Sequence, residues 1–110
     1  MYAKAVSKYL RISPQKAQVI AGLLRGKTVA EAMAQITVSG TKAGRLMHKT
    51  LSSAVANASH LHDADESTLK VLEVRIDEGP RLKRSKPKNR GGSHPILKRM
   101  SHFTVVVGVA

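Results

Sequence analysis

A strongly basic segment, from position 81 to position 99, constrains the fold of this chain more than any other feature. No acidic residue follows Glu78, and the segment holds eight cations in nineteen residues: Arg81, Lys83, Arg84, Lys86, Lys88, Arg90, Lys98 and Arg99. Apolar residues spaced by two, typical of half-buried strands, flank it on both sides. They are Leu72, Val74 and Ile76 before it, and Phe103, Val105, Val107 and Val109 after it. This arrangement predicts a long antiparallel β-hairpin over residues 79–102, which at about 3.3 Å per residue reaches about 40 Å.

The distribution of charge indicates the kind of partner. Residues 1–80 hold 11 Lys and Arg against 7 Asp and Glu, whereas residues 81–110 contribute +8 of the net +12. An arm with this charge and few apolar residues needs a polyanion beside it, which predicts nucleic acid. The chain has 2 Tyr, 1 Phe and no Trp, too few aromatic residues for the base-stacking platforms of single-strand binders. We therefore expect recognition of phosphates and backbone shape.

The rest of the chain predicts an α+β fold, with three helices packed on a small antiparallel sheet. A first strand is expected over residues 3–12, and Ser13-Pro14 is a helix-start signal for a helix over residues 14–25. Thr28 and Glu31 have capping-box spacing before a second helix, which Ser39-Gly40 ends. A third helix is expected over residues 41–61. The apolar stripes predicted to face the core are Ala17, Ile20, Leu23 and Leu24; Val29, Ala32, Met33 and Ile36; and Ala43, Met47, Leu51, Ala54, Ala58 and Leu61.

The length of 110 residues predicts a single domain over residues 1–110. Within it we expect a globular body formed by residues 1–78 and 103–110, and an extended basic hairpin formed by residues 79–102. No eighteen-residue apolar run is present, and the first residues lack a secretory pattern, so no membrane partner and a cytoplasmic location are expected. The absence of cysteine excludes disulfides and thiolate metal sites.

Two histidines near acidic residues raise the possibility of a metal or catalytic site. His60 and His62 precede Asp63 at a predicted helix end, where alternate residues do not share a face, so we interpret them as exposed polar residues. Ser52, His60 and Asp63 have the residue types of a catalytic triad, but no nucleophile elbow or glycine-rich phosphate loop accompanies them. We therefore predict no enzymatic activity, no metal site and no cofactor.

One alternative from another class stays open on composition alone. DNA-bending architectural proteins also combine a small helical body with basic β-arms. Such arms act in a dimer around duplex DNA, and the amphipathic helices of this chain do not obviously leave an apolar interface for that dimer.

Five separated motifs cover nearly the whole chain. They are Arg11-Ile-Ser-Pro-Gln-Lys16, Leu24-Arg-Gly-Lys27, Ser53-Ala-Val-Ala-Asn-Ala58, Asp77-Glu-Gly-Pro80 and Leu97-Lys-Arg-Met-Ser-His-Phe-Thr-Val-Val-Val107. In this order, and at this length, they closely resemble the bacterial form of the large-subunit ribosomal protein number twenty-two family.

The resemblance implies a structural protein of the large ribosomal subunit, monomeric within the particle. Its body would lie on the exterior near the peptide exit, and its hairpin would run through large-subunit rRNA, aid assembly and line the nascent-peptide exit tunnel. Implied partners are large-subunit rRNA, neighbouring large-subunit ribosomal proteins and the nascent peptide.

The resemblance and the charges together assign residue roles. The expected rRNA-binding residues are Arg11, Lys16, Arg25, Lys27, Arg81, Lys83, Arg84, Lys86, Lys88, Arg90, Lys98, Arg99 and His102. The expected tunnel-facing tip consists of Lys88, Asn89, Arg90 and Gly91. The chain departs from the family just after this tip, where Gly92 stands in place of the customary arginine.

Overall fold

The structure, a computed structural model, describes residues 2–63, 65–87 and 93–109, with residues 82–87 and 93–97 described by their backbone pairing. Along the chain the elements are β1 (Tyr2–Leu10), α1 (Pro14–Leu24), α2 (Val29–Ser39), α3 (Lys42–His62), a 3-10 turn (Glu66–Thr68), β2 (Lys70–Glu78), β3 (Leu82–Pro87), β4 (Ser93–Lys98) and β5 (Ser101–Gly108). Over these residues the α+β prediction, with three α-helices on a small antiparallel sheet, is confirmed.

Each α-helix begins at a hydroxyl side chain that accepts a hydrogen bond from a backbone N–H of the first turn. These bonds satisfy donors that have no partner within the helix. The pairs are Ser13 with Lys16 (3.5 Å), Thr28 with Glu31 (3.3 Å) and Thr41 with Gly44 (3.0 Å). At the end of α2, Gly40 has a left-handed backbone with φ of 62°, a conformation that glycine adopts without steric cost.

The main sheet has the strand order β1-β5-β2, and all of its pairings are antiparallel. The central strand β5 therefore pairs Val105 with Ala5 on one side and with Val74 on the other. Strands β3 and β4 form a separate antiparallel ribbon, in register from Leu82 with Lys98 to Pro87 with Ser93. The molecule measures 62 × 26 × 16 Å and has a radius of gyration of 16.9 Å, against about 13 Å for a compact domain of about 100 residues. The ribbon accounts for this elongation.

The core lies between the helices and one face of the sheet. Phe103, Val105 and Val107 of β5 are fully buried, and so are Met47 and Leu51 of α3. Most of the predicted stripes are confirmed by burial, namely Ala17, Ile20, Leu24, Val29, Ala32, Ile36, Ala43, Met47, Leu51, Ala54 and Ala58.

Some predicted core positions are wrong. In β2 a register shift between Val71 and Glu73 turns Leu72 outward, where it is 47% exposed, and buries Val71 in its place. A single extra residue in one strand of a pair reverses the faces of its neighbours, which a simple alternation cannot anticipate. Leu23, Leu61 and Val109 are also exposed, and Ala21 is the additional buried residue of α1.

The predicted element ends shift by one or two residues. β1 stops at Leu10 because the N–H of Ile12 donates to the Leu10 carbonyl at 2.8 Å, which closes a tight turn. α1 stops at Leu24 because Arg25 has an extended backbone. β5 begins at Ser101, which pairs with both Leu10 and Glu78. Within the part of the chain described here, no helix is long and apolar enough to cross a bilayer.

Ser101 anchors the turn before α1, and its removal is expected to destabilise the body. Its fully buried Oγ donates to the carbonyl of Ile12 at 2.7 Å. Replacing Ser101 with Ala leaves that carbonyl without a partner, so the free energy of unfolding should fall by about 1–3 kcal/mol. Urea unfolding followed by circular dichroism measures this. The exposed Ser59→Ala is the control, and equal stability of the two variants would contradict the role of the buried bond.

Candidate nucleic-acid interface

A cationic cavity of about 300 Å³ lies where the ribbon leaves the body. Three segments that are distant in sequence meet there: the turn between β1 and α1, the first residue of α3, and the end of β4. The lining residues are Arg11, Ile12, Ser13, Lys16, Lys42, Lys98 and Arg99. We refer to this set as the basal cavity. It brings together Arg11, Lys16, Lys98 and Arg99, four of the predicted rRNA-binding residues.

Hydrogen bonds to two successive carbonyls fix the turn that lines the basal cavity. The Nζ of Lys42 donates to the carbonyl of Arg11 at 2.6 Å, and the Oγ of Ser101 donates to that of Ile12 at 2.7 Å. The side chain of Ile12 is itself buried in the core. The backbone of the turn is therefore held from α3 and from β5, so Arg11 projects from a fixed base.

The electrostatics of the basal cavity favour an anion. Every charged residue that lines it in the described part of the chain is a cation. Two helices also begin there, since Ser13 is the N-cap of α1 and Lys42 is the first residue of α3, and helix N-termini carry partial positive charge. Arginine presents a planar fork that matches phosphate, and lysine adds a mobile point charge. These groups can hold the phosphates of a nucleic-acid backbone.

Two predicted rRNA-binding arginines have partners within the protein. The guanidinium of Arg25 donates from Nε and Nη2 to the carbonyl of Val74, at 3.2 and 2.9 Å, and so ties the end of α1 to the edge of β2. Arg81 forms an ion pair with Glu78, whose Oε1 lies 2.6 Å from Nη2. Both arginines are exposed, so donors that do not face these oxygens are available to a ligand.

Lys27 lies away from the basal cavity. It is half-buried and lines a different cavity with Glu31 and Val38 on the surface of α2. Its carbonyl accepts from the N–H of Val71 at 2.8 Å, and the backbones of Thr28 and Lys70 form an isolated antiparallel β-bridge. The backbone of this loop thus covers the first half of the β2 edge.

His102 lies at the root of the ribbon beside Tyr9. The Nδ1 atom of its ring accepts from the backbone N–H of Tyr9 at 3.0 Å. On its other side the ring packs close to Gly79, where the Cβ of any larger residue would lie 3.2 Å from the His102 Cε1 atom. Glycine at position 79 therefore permits the close approach of the ring to the start of the ribbon.

The remaining predicted residues lie on the ribbon. Backbone register pairs Lys83 with Leu97, Arg84 with Ile96 and Lys86 with His94, so cations follow one another along β3. The predicted tunnel-facing tip, consisting of Lys88, Asn89, Arg90 and Gly91, lies outside the described residues, as does Gly92.

Lys42 is a cation of the basal cavity that the predicted site does not include. In the sequence it forms a helical line with Arg45 and Lys49, which suggests a shared role. The structure separates them, because Arg45 and Lys49 line another cavity with His48. The spacing of cations on α3 was the only sequence signal, and the contact of Lys42 with Arg11 depends on tertiary structure.

The described residues contain no cluster of three or more His, Asp or Glu side chains with a geometry suited to a metal ion. The α+β body, the basic ribbon and the cationic cavity at its root are features typical of structural proteins that bind a polyanion.

Sequence comparison identifies the family. The family described as Ribosomal protein L22p/L17e matches residues 5–108. The chain is 64% identical over 106 residues to the large ribosomal subunit protein uL22 of Protochlamydia amoebophila, with 96% of each chain covered. It is 54% identical over 106 residues to uL22 of Chlamydia abortus, and 51% identical over 105 residues to that of Chlamydia trachomatis serovar L2, covering 96% of this chain and 95% of each relative. The chain therefore belongs to the L22p/L17e family of ribosomal proteins.

Family membership confirms the resemblance that the five motifs indicate. The chain is a structural ribosomal protein and not an enzyme, and its location is the ribosome, which is cytoplasmic in bacteria. It also favours the ribosomal interpretation over the DNA-bending alternative.

Proposed function

We propose that this chain is a constituent of the large ribosomal subunit that binds large-subunit rRNA through phosphate and shape contacts, aids assembly, and lines the nascent-peptide exit tunnel with its hairpin. The observation that carries the proposal is the basal cavity, where cations from three separate segments meet at the root of a basic ribbon. The relatives named as large ribosomal subunit proteins support the choice of particle.

The elongated shape of the molecule supports separate roles for a body and an arm. We propose a globular body of residues 1–78 and 103–110 and an arm of residues 79–102, at whose base the N–H of Gly79 donates to the carbonyl of Met100 at 2.8 Å. An isolated two-stranded ribbon is only marginally stable in water. The rRNA supplies the missing surface, and binding at the cavity and along the arm at the same time joins RNA segments that are distant from one another, which is how the protein aids assembly.

The tip residues Lys88, Asn89, Arg90 and Gly91 are proposed to face the nascent peptide in the tunnel. Support comes from the family and from the position of these residues between β3 and β4. Neighbouring large-subunit ribosomal proteins are the remaining proposed partners, with the protein present as one copy in the particle.

Neutralising the basal cavity is expected to flatten the salt dependence of rRNA binding. Each phosphate contact contributes about 0.7–0.9 to the slope of log K against log[salt]. Replacing Lys16, Lys42 and Arg99 with Gln should therefore make the slope less negative by about 2–3. Filter binding of a large-subunit rRNA transcript over a tenfold range of salt measures it.

The matched control replaces Lys4, Lys70 and Arg75 with Gln. These exposed cations lie on strands of the main sheet and outside the basal cavity. Replacing them also removes three positive charges, so the two variants have the same net charge. Circular dichroism verifies that both triple variants are folded. Equal slopes for the two variants would show that the cavity has no special part in binding, and a slope near zero for the parent protein would refute phosphate binding altogether.

A further inference from the structure

Tyr9 has an unusual backbone conformation. Its φ is 59°, in the left-handed region that bulky L-residues rarely adopt because Cβ crowds the backbone. It lies where the register between β1 and β5 shifts, between Ser7 and Leu10. Glycine is the usual residue at a left-handed position of such an irregularity. A tyrosine there costs conformational free energy, and strain of this kind concentrates at functional positions.

His102 holds Tyr9 in this conformation. The N–H of Tyr9 donates to the Nδ1 atom of His102 at 3.0 Å. The two rings also make an edge-to-face contact, with centroids 5.0 Å apart and planes at 86°. The pair is therefore fixed by one hydrogen bond and one aromatic contact.

The phenol ring is nevertheless open to solvent. Tyr9 is 62% exposed, and an edge-to-face contact covers at most one face of a ring. At least one aromatic face is therefore free. Packing in the core does not explain a strained backbone that presents an aromatic side chain outward.

The Tyr9–His102 pair adjoins the basal cavity through both of its strands. Arg11 follows Tyr9 by two residues, Arg99 precedes His102 by three, and between them Leu10 pairs with Ser101. A single RNA strand whose phosphates lie among the cations of the cavity can thus bring a neighbouring base to the phenol ring.

We infer that Tyr9, positioned by His102, is a stacking site for one unpaired nucleobase of the RNA that the basal cavity binds. The inference rests on the proposed function and adds base contact to the phosphate contacts. A base within a duplex is already stacked on both faces, whereas an unpaired base has a free face, so the site selects single-stranded or bulged nucleotides.

The chain offers a direct spectroscopic test. It contains two tyrosines and no tryptophan, so in a Tyr2→Phe variant the tyrosine fluorescence comes from Tyr9 alone. We expect a twelve-nucleotide oligouridine to quench this emission on binding. Inorganic polyphosphate of similar charge should bind in the same salt-dependent way without quenching, because it has phosphates and no bases. Equal quenching by both probes, or none by the oligouridine while it binds, overturns the stacking site.

Substitution of Tyr9 gives a second readout. Both Phe and Leu are L-residues with similar left-handed strain, but only Phe keeps an aromatic face. Tyr9→Phe should bind oligouridine within about twofold of the parent, and Tyr9→Leu about 5-fold to 100-fold more weakly, with polyphosphate affinity equal in both. Identical oligouridine affinities for the two variants would overturn the inference while the proposed rRNA binding stands. If the parent protein binds neither probe, the proposed function and the inference both fail.

Discussion

Deletion of residues 82–98, with Arg81 joined to Arg99 through two glycines, is expected to leave a folded body that binds large-subunit rRNA at least about 100-fold more weakly. The body keeps its closure, because Glu78 still pairs with Ser101 and Gly79 still donates to Met100. None of the buried core residues lies in the deleted segment as far as the structure describes their burial. Cooperative urea unfolding should therefore persist.

The loss of affinity follows from the charge removed. The deletion eliminates six cations, which are Lys83, Arg84, Lys86, Lys88, Arg90 and Lys98. At about 0.7–0.9 per phosphate contact, the slope of log K against log[salt] should become less negative by up to about 5. A full-length variant with Gln at these six positions separates charge from shape, since it keeps the ribbon and loses the cations. Unchanged affinity of the deletion, or loss of cooperative unfolding, would contradict the division into body and arm.

Phe103→Ala is expected to reduce the free energy of unfolding by about 3–5 kcal/mol. The side chain is fully buried at the centre of the sheet, where its backbone pairs with Ser7 of β1 and Ile76 of β2. Its truncation removes buried apolar surface and leaves a cavity that the flanking strands cannot fill. Because small domains are stable by only about 5–15 kcal/mol, the variant should be near its unfolding threshold at 37 °C.

The control for Phe103 is Val38→Ala on α2. Val38 is 83% exposed, so its replacement should change the free energy of unfolding by no more than about 0.5 kcal/mol. Urea titrations of both variants at 25 °C give the comparison. A difference between them of less than about 1 kcal/mol would contradict the assignment of Phe103 to the core.

Local signals in the sequence predicted most of the fold. Ser13 and Thr28 marked helix starts because an N-cap hydroxyl acts within its own turn, and the structure confirms both. The alternation of Val74 and Ile76 likewise identified a strand. The prediction that Leu72 faces the core is wrong because the register shift beside it depends on pairing with β5. No local sequence pattern indicates that shift.

Only part of the candidate site is predictable from the sequence, because contacts between segments that are far apart in the chain assemble it. Arg11 and Arg99 are 88 positions apart, and the family resemblance together with their charge predicts both as rRNA-binding residues. The sequence does not indicate the part that Lys42 plays, because its bond to the Arg11 carbonyl joins α3 to the turn after β1. The contact of Arg25 with Val74 and the left-handed backbone of Tyr9 are also products of tertiary packing. The charges in the sequence indicate the chemistry of the surface, whereas the fold determines which cations share a cavity.

The position of β5 between β1 and β2 has a consequence for biosynthesis. Strand β1 is made first, yet its partner is synthesised about 100 residues later, and β2 must wait for the same strand. During translation the helices can form locally, but the sheet against which they pack cannot close until residues 101–108 have emerged, and contacts of such long sequence separation form slowly. The basic arm precedes β5 and so reaches the cytosol before the body is complete. A chain that ends before residue 101 therefore carries the cations of the arm but lacks the central strand of the main sheet.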